Sequence, residues 1–208
     1  MAGQLEELRK ELWACRACPL HEQAYQVVRG EGPIPCDWMV VGEAPGREEN
    51  RSGRPFVGKS GERLWLCLDK LVGRKRAEVY VTNLVKHRPP GNRRPRISEI
   101  HACTVWLDRE LDLVKPQVII TLGEKAGRAF DPGLHLGLDH GKAQPITHKG
   151  TTYTLVTMYH PAASLHKPGL WPIIVEDWTK LKGQLTLQLE PESKYELLSS
   201  SEVLAWLN

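Results

Sequence analysis

Short apolar runs typical of buried strands alternate along this chain with longer segments of helical periodicity. The apolar runs span residues 38–43, 78–85, 116–123 and 152–161. The helical segments span residues 4–14, 60–73, 97–114 and 171–185, and a shorter one begins at residue 124. Strands separated by helices predict a mostly parallel sheet covered by helices on both faces. We therefore expect an α/β fold, a three-layer αβα domain with a central four-stranded sheet.

The predicted strands end at residues whose side chains or backbone suit ligand binding. These residues are Glu43, Asn83, Gly123 and His160. Ligands of open α/β sheets bind beyond the carboxyl ends of the strands, so we expect the four ends to converge on one cleft. The first strand leads directly into the glycine-rich stretch "GEAPGREENRSGRPFVGKSG", residues 42–61. Glycine allows close approach of backbone to a ligand, which predicts that this loop forms one wall of the cleft.

The basic residues are concentrated locally. The net charge of the 208-residue chain is only +3, so binding of a polyanion requires a local patch. The stretch "KHRPPGNRRPR" supplies one, through Lys86, Arg88, Arg93, Arg94 and Arg96. We expect these five side chains to contact nucleic-acid phosphates.

Composition places the chain among globular proteins. No apolar run reaches the roughly 20 residues that span a bilayer, and the N-terminal segment is charged and helical. We expect a soluble cytoplasmic protein without membrane contact. We assign residues 1–190 to one domain and residues 191–208 to a C-terminal tail of different composition.

The five cysteines do not predict a disulfide framework, since their number is odd. Cys36 and Cys67 lie beside or within apolar segments and are predicted to be core residues. Cys15 and Cys18 form a C-x-x-C pair directly after the first helix. Such a pair indicates metal binding when further ligands lie downstream.

The loop sequences together resemble a known family. In chain order they are "VGEAPG", "GRPFVGKSG", "TNLVKHRPPGNR", "TLGEKAGRAF" and "MYHPAAS". This set is similar to uracil-DNA glycosylase family 4, the iron–sulfur glycosylases of that superfamily, over about residues 5–185. The resemblance implies a monomeric enzyme that extrudes a base from DNA, hydrolyses its N-glycosidic bond and leaves an abasic site.

The resemblance also implies roles for individual residues. Phe56 would stack on the base, Asn83 would read its polar edge, and His160 would donate a hydrogen bond to the departing anion. Glu43 is the expected carboxylate, which positions water or anchors the loop. The other implied contacts are the base and DNA-backbone contacts of Gly42, Ala44, Pro45 and Gly46, and insertion of Leu165 into the DNA.

Two positions depart from the family pattern. Asn50 stands where the family usually has an acidic residue. Either the neighbouring Glu48 and Glu49 compensate for this change, or the change marks a different substrate. Ala44 stands where some relatives in the superfamily place Asp or Asn to activate water. We therefore expect cleavage to depend more on electrostatic stabilisation of the leaving base than on a dedicated base.

The family's cluster ligands match this sequence at three of four positions. Cys15, Cys18 and Cys103 correspond to cysteine ligands, and His87 stands where the family has the remaining cysteine. The resemblance implies a structural 4Fe–4S cluster held by three thiolates and one imidazole. A zinc site of the same composition, or loss of the cluster, is the alternative. The basic loop is short, and we do not expect covalent trapping of DNA as in one related branch.

Two alternative functions remain open from the sequence. The same fold accommodates other bases, including modified pyrimidines of phage DNA. A non-catalytic DNA-binding module of a replication protein is the other possibility, suggested by "YELLSSSEVLAWL" in the tail.

Overall fold

The structure is a computed structural model that describes residues 2–189. The α-helices span Ala2–Trp13 (α1), Leu20–Gln23 (α2), Arg47–Ser52 (α3), Lys59–Leu66 (α4), Ile97–Val114 (α5), Glu124–Arg128 (α6), Leu136–Asp139 (α7), Ala163–His166 (α8) and Trp171–Leu189 (α9). The strands span Trp38–Gly42 (β1), Tyr80–Asn83 (β2), Val118–Leu122 (β3), Ala143–His148 (β4) and Thr151–Met158 (β5). A π-helical segment, Cys67–Val72, continues α4, and 3-10 turns span Arg76–Glu78, Pro90–Asn92 and Pro168–Leu170. The predicted tail lies outside the described residues.

The five strands form one sheet in the order β2-β1-β3-β5-β4. The four strands β2, β1, β3 and β5 pair with one another in parallel, and the edge strand β4 pairs antiparallel with β5. Gly42 is in register with Asn83, and Leu122 with Met158, so the carboxyl ends of the parallel strands lie along one edge. The predicted α/β class and the parallel arrangement are confirmed.

The sheet has five strands rather than the four predicted. The additional strand, β4, was not predicted because it has no apolar run. It is an edge strand whose residues are half-buried or exposed, and it includes Pro145. Proline and polar residues are common on edge strands, where one side of the backbone pairs with nothing. Hydrophobic pattern alone therefore did not reveal it.

Each face of the sheet is covered by a separate apolar layer. On one face, Leu64 of α4 and Trp178 of α9 pack over Val40 and Ile120. On the other face, Leu111 of α5 packs against Met39 and Ile119. Side chains of successive strand residues point to opposite faces, which is why neighbouring residues of β1 belong to different layers. These two layers complete the predicted αβα arrangement.

A third apolar cluster fixes the N-terminal region to the domain. It joins Leu8 and Leu12 of α1 to Cys103 and Trp106 of α5, and Ala44 packs against it. The loop that follows β1 is thereby supported by the N-terminal segment. None of the described helices is both long and apolar enough to cross a membrane.

Candidate active site

A cavity of about 280 Å³ opens at the carboxyl edge of the sheet. Residues from the loops after β1, β2 and β5 line it, whereas Gly123, the fourth predicted strand end, lines a neighbouring second cavity. Among them are seven of the predicted residues: Glu43, Ala44, Pro45, Gly46, Phe56, Asn83 and His160. Arg93 and Arg94 of the basic loop form part of its rim. Gly42, Arg88, Arg96 and Leu165 do not line this cavity.

Gly42 allows two site residues to meet over the end of β1. A Cβ atom at this position would lie 2.4 Å from Asn83 Oδ1 and 2.8 Å from Phe56 Cζ. No larger residue fits without displacing both of them. The loops after β1 and β2 are also joined by backbone, since Leu84 N–H donates to Gly42 O at 2.9 Å.

Phe56 and Asn83 present complementary surfaces to the cavity. The Phe56 ring is buried and lies 6.5 Å from the His160 ring, centroid to centroid, at an interplanar angle of 31°. The side-chain amide of Asn83 is also buried and makes no hydrogen bond within the described part of the chain. An aromatic face beside a free amide suits a planar ligand with a polar edge.

His160 is held as a neutral imidazole. Burial lowers its pKa to about 4, and the carboxylate of Glu49 opposes this shift. Its Nδ1 accepts the N–H of Ala162 at 3.2 Å, which leaves the proton of the neutral ring on Nε2. The side chain therefore offers one N–H donor.

The Glu43 carboxylate has a buried oxygen, Oε1, without a hydrogen-bond partner among the described residues. Burial raises the pKa of Glu43, and the charges of Arg94 and Lys125 partly offset that rise. Glu43 also lines a second cavity of about 520 Å³, together with Arg94, Lys125 and His160. The second cavity extends the site toward α6.

Glu49, one of the two acidic residues expected to compensate for Asn50, lines the cavity. Its carboxylate accepts backbone N–H groups of Gly46 at 3.1 Å, Val57 at 3.0 Å and Gly58 at 2.8 Å. It thereby joins two separate parts of the glycine-rich stretch. The signal in the sequence is a glutamate three residues after Gly46, the N-cap of α3, the position from which a glutamate accepts the N–H of the N-cap residue.

Asn50 lies outside the cavity. Its side chain is buried, and its Oδ1 accepts the N–H of Tyr25 at 3.0 Å. The departure from the family pattern at this position therefore connects α3 to the N-terminal region and does not alter the cavity lining. Glu48 is exposed and pairs with Arg47 and Arg51.

Lys86 corrects one part of the predicted basic surface. Its side chain is fully buried, and its Nζ lies 2.6 Å from Glu110 Oε2. It cannot contact phosphate, because its side chain points into the protein interior beneath α5, where it pairs with Glu110. Arg93 is bound to Glu99 through two hydrogen bonds of 2.8 Å and 2.6 Å. Arg94 and Arg96 are exposed.

Leu165 lies on α8, whose residues Ala163 and His166 line the second cavity. Its side chain is 41% exposed. The preceding loop is fixed, since Ser164 Oγ donates to Pro161 O at 2.6 Å and accepts from Arg63. The predicted insertion of Leu165 into DNA stays a prediction.

The predicted metal ligands are gathered in one region without forming a metal-binding group. Cys15, Cys18 and Cys103 are buried in the third apolar cluster, and Trp106 Nε1–H donates to Cys15 Sγ at 3.3 Å. Burial raises the pKa of Cys18, and that of Cys103 to about 11. Within residues 2–189, no three His, Cys, Asp or Glu side chains are arranged to hold a metal ion.

His87 is adjacent to this region, and one of its ring nitrogens, Nδ1, is buried without a hydrogen-bond partner among the described residues. Burial lowers the pKa of His87 to about 4, and the neighbouring His21 and Arg16 act in the same direction. The ring is therefore neutral, the form that can ligate a metal.

Comparison with known proteins agrees with this geometry. Residues 29–182 match the family described as the uracil DNA glycosylase superfamily. A type-4 uracil-DNA glycosylase of Sulfurisphaera tokodaii is 38% identical over 86% of this chain and 83% of its own length. Enzymes of the same name from Pyrobaculum aerophilum and Archaeoglobus fulgidus are 40% and 35% identical, covering 80% and 90% of this chain and 87% and 96% of their own lengths. The chain belongs to the uracil DNA glycosylase superfamily, in its type-4 family.

Proposed function

We propose that this chain is a monofunctional DNA glycosylase that hydrolyses the N-glycosidic bond of uracil in DNA and leaves an abasic site. The observation that carries the proposal is the meeting of Phe56, Asn83 and His160 with two carboxylates at one small cavity. A base must leave the helical stack to reach such a cavity. The names of the relatives support uracil as the base.

The base is recognised by stacking and by its polar edge. Phe56 covers one face of the pyrimidine ring. The amide of Asn83 donates to O4 and accepts from N3–H, the pattern that uracil offers and cytosine does not. Gly42 keeps both side chains against the ligand, because a Cβ atom would displace them.

Bond cleavage moves an electron pair onto the base. Water attacks C1′ of the deoxyribose, the bond from C1′ to the base nitrogen breaks, and the base leaves as an anion. His160 Nε2–H donates a hydrogen bond to the base oxygen on which charge develops. A neutral imidazole serves this role, because its Nε2–H can donate to the anion without prior protonation of the ring.

The two carboxylates have different tasks. Glu43 accepts the hydrogen bond of the attacking water through the buried oxygen to which no described residue donates, and takes the proton of that water, a smaller contribution to the rate than stabilisation of the leaving base. Glu49 is engaged by three backbone N–H groups and keeps the glycine-rich loop in place. Its negative charge also favours positive character on the sugar.

DNA is held by the basic loop and by the second cavity. The exposed Arg94 and Arg96 contact phosphates. Arg88 and Arg93 belong to the same loop and add to its positive charge. Lys125 in the second cavity makes no hydrogen bond or ion pair within the described chain and is a further phosphate contact. Leu165 fills the gap left by the extruded base. We infer that residues 1–190 act as a monomeric cytoplasmic enzyme, with residues 191–208 as a tail.

The test is single-turnover cleavage of an oligonucleotide with one uracil, read as an alkali-labile site. His160→Ala and Asn83→Ala should each slow cleavage on the order of 10²-fold. His101→Ala, which lines neither cavity, is the control. Cleavage of a modified pyrimidine but not of uracil would overturn the substrate assignment. DNA binding without any cleavage would favour a non-catalytic module, and borohydride trapping of DNA would contradict monofunctional hydrolysis.

We propose further that Cys15, Cys18, Cys103 and His87 hold a 4Fe–4S cluster. Three thiols that share one apolar cluster with a nearby unpaired imidazole nitrogen are a donor set of that kind. When bound, the cluster would be a structural cross-link between the N-terminal segment, α5 and the start of the basic loop. No catalytic step depends on it.

Elemental analysis tests the cofactor directly. Four iron atoms and four acid-labile sulfides per chain, with brown colour, are expected after anaerobic purification. His87→Ala should lower the iron content and His87→Cys should restore it. One zinc per chain and no sulfide would replace the cluster with a zinc site, and a metal-free stable protein would refute both.

A further inference from the structure

Phe56 has a backbone conformation that bulky residues rarely adopt. Its φ angle is 51°, in the left-handed region. Conformations of this kind persist only where the surrounding structure holds them, and they concentrate at functional sites. Phe56 is also the aromatic residue of the cavity, so the groups that hold its backbone determine where the ring lies.

Two side chains hold the Phe56 carbonyl from behind the cavity. Trp65 Nε1–H donates to Phe56 O at 2.9 Å, and Arg76 Nη1–H donates to the same oxygen at 3.2 Å. Arg76 Nη2–H also donates to Pro55 O at 3.0 Å. The backbone of α4 passes close by, since a Cβ on Gly61 would lie 2.1 Å from Phe56 O.

Arg76 is itself fixed in position. Its Nε–H donates to Glu31 Oε1 at 3.1 Å, and its guanidinium lies 4.5 Å from the centre of the Trp65 ring. Arg54 adds two hydrogen bonds to the same Glu31 carboxylate, at 2.8 Å and 2.7 Å. Neither Trp65 nor Arg76 lines the two cavities of the active site.

We propose that Trp65 and Arg76 are positioning residues that hold the Phe56 ring for stacking, so that affinity for a pyrimidine base depends on two side chains outside the cavity. This inference rests on the proposed function and adds the origin of base affinity to it. Loss of either donor leaves the Phe56 carbonyl with one side-chain hydrogen bond, so the backbone is held less firmly in the left-handed region. The ring then covers the base face less well.

Inhibition by free uracil tests the proposal, because uracil occupies the base site without DNA contacts. Trp65→Phe removes the indole N–H and keeps an aromatic ring, and Arg76→Lys keeps the charge but loses the paired donors. Each should weaken inhibition by uracil about three- to tenfold, the value of one hydrogen bond. KM for uracil-containing DNA should rise more than kcat falls.

Trp38→Phe is the matched control. Trp38 is buried, its ring lies under Arg74, and its Nε1 has no hydrogen-bond partner among the described residues. A fall in Tm common to all three variants, with unchanged inhibition by uracil, would overturn the proposal while leaving the function intact. If the parent protein neither cleaves uracil-containing DNA nor binds uracil, the proposed function fails instead.

Discussion

Lys86 Nζ lies 2.6 Å from Glu110 Oε2, and both side chains are buried. The same ammonium donates to Thr82 Oγ1 at 2.6 Å and to the backbone oxygen of Asn83 at 2.9 Å. The ion pair therefore joins α5 to the end of β2, where the amide of Asn83 reaches the cavity. All three ammonium protons are used, which is the condition under which a buried charge is tolerated.

Replacement of Lys86 by methionine should destabilise the protein. The change leaves the Glu110 carboxylate buried without its cation, and removing one partner of a buried pair costs about 3–5 kcal/mol. The free energy of unfolding from urea titration measures the effect. The double variant Lys86→Met/Glu110→Leu should recover part of the loss, because it removes the second charge as well.

Arg96→Met is the control for this substitution. Arg96 is exposed on the same loop, and surface substitutions usually change stability by no more than about 0.5 kcal/mol. The opposite pattern, full stability of Lys86→Met with a weaker salt dependence of DNA binding, would restore Lys86 to the DNA surface and contradict the buried pair.

Gly42→Ala should lower the cleavage rate about 10²-fold while leaving the fold intact. The new methyl group would lie 2.4 Å from Asn83 Oδ1 and 2.8 Å from Phe56 Cζ, so both side chains must shift. A misplacement near 1 Å in an active site costs about 10²-fold in rate. Single-turnover cleavage of uracil-containing DNA and circular dichroism give the two readouts.

Gly183→Ala provides the comparison for Gly42. Gly183 lies in α9, and a Cβ there meets nothing within 4 Å. This variant should keep full activity and gain up to about 1 kcal/mol of stability, since alanine favours helix. Equal rates for Gly42→Ala and the parent protein would mean that Asn83 and Phe56 do not need their observed positions.

The sequence predicted the fold and most of the cavity because both follow from periodicity and strand ends. Apolar runs place β1, β2, β3 and β5, and parallel strands bring their ends to one edge. The edge strand β4 escaped prediction, since strands half-exposed at a sheet edge need no apolar pattern. Helix α5 begins and ends where its periodicity predicted, at Ile97 and Val114.

The individual charged residues were harder to predict. Lys86 occurs in a basic run, yet its direction depends on Glu110, which is 24 residues away in sequence. In the sequence, Glu49 does not differ from other acidic loop residues. Its role depends on three backbone N–H groups that only the folded structure brings to its carboxylate. Composition reports how many charges a loop has, and only packing decides which of them face solvent.

Arg94→Gln and Arg96→Gln should each reduce the salt dependence of DNA binding. Both side chains are exposed on the basic loop. Each phosphate contact contributes about 0.9 to the slope of log K against log salt for duplex DNA, or about 0.7 for a single strand. Fluorescence anisotropy at several salt concentrations measures the slope.

Lys70→Gln is the control for charge alone. Lys70 is exposed, pairs with Asp69 and lines neither cavity. Its loss should leave the slope unchanged. If all three variants keep the slope of the parent protein, Arg94 and Arg96 are not phosphate contacts, and Lys125 remains as the proposed contact.

The pH profile of the enzyme should reflect the environment of Glu43. Burial raises the pKa of Glu43 above its ordinary 4.5, whereas burial lowers the pKa of His160 to about 4. As the pH falls, Glu43 is therefore protonated first, and a protonated carboxyl cannot take a proton from water. His160 stays neutral throughout this range, so the acid limb of kcat/KM belongs to Glu43.

Arg94→Gln should move this acid limb to higher pH. The charge of Arg94 lowers the pKa of Glu43, and its removal leaves burial less opposed, so protonation begins earlier as the pH falls. Measurement of kcat/KM against pH at constant ionic strength gives the midpoint. Arg96→Gln, whose charge does not act on Glu43, should weaken DNA binding without moving the midpoint. An acid limb that shifts to lower pH in Arg94→Gln, or shifts equally in both variants, would show that another group controls the profile.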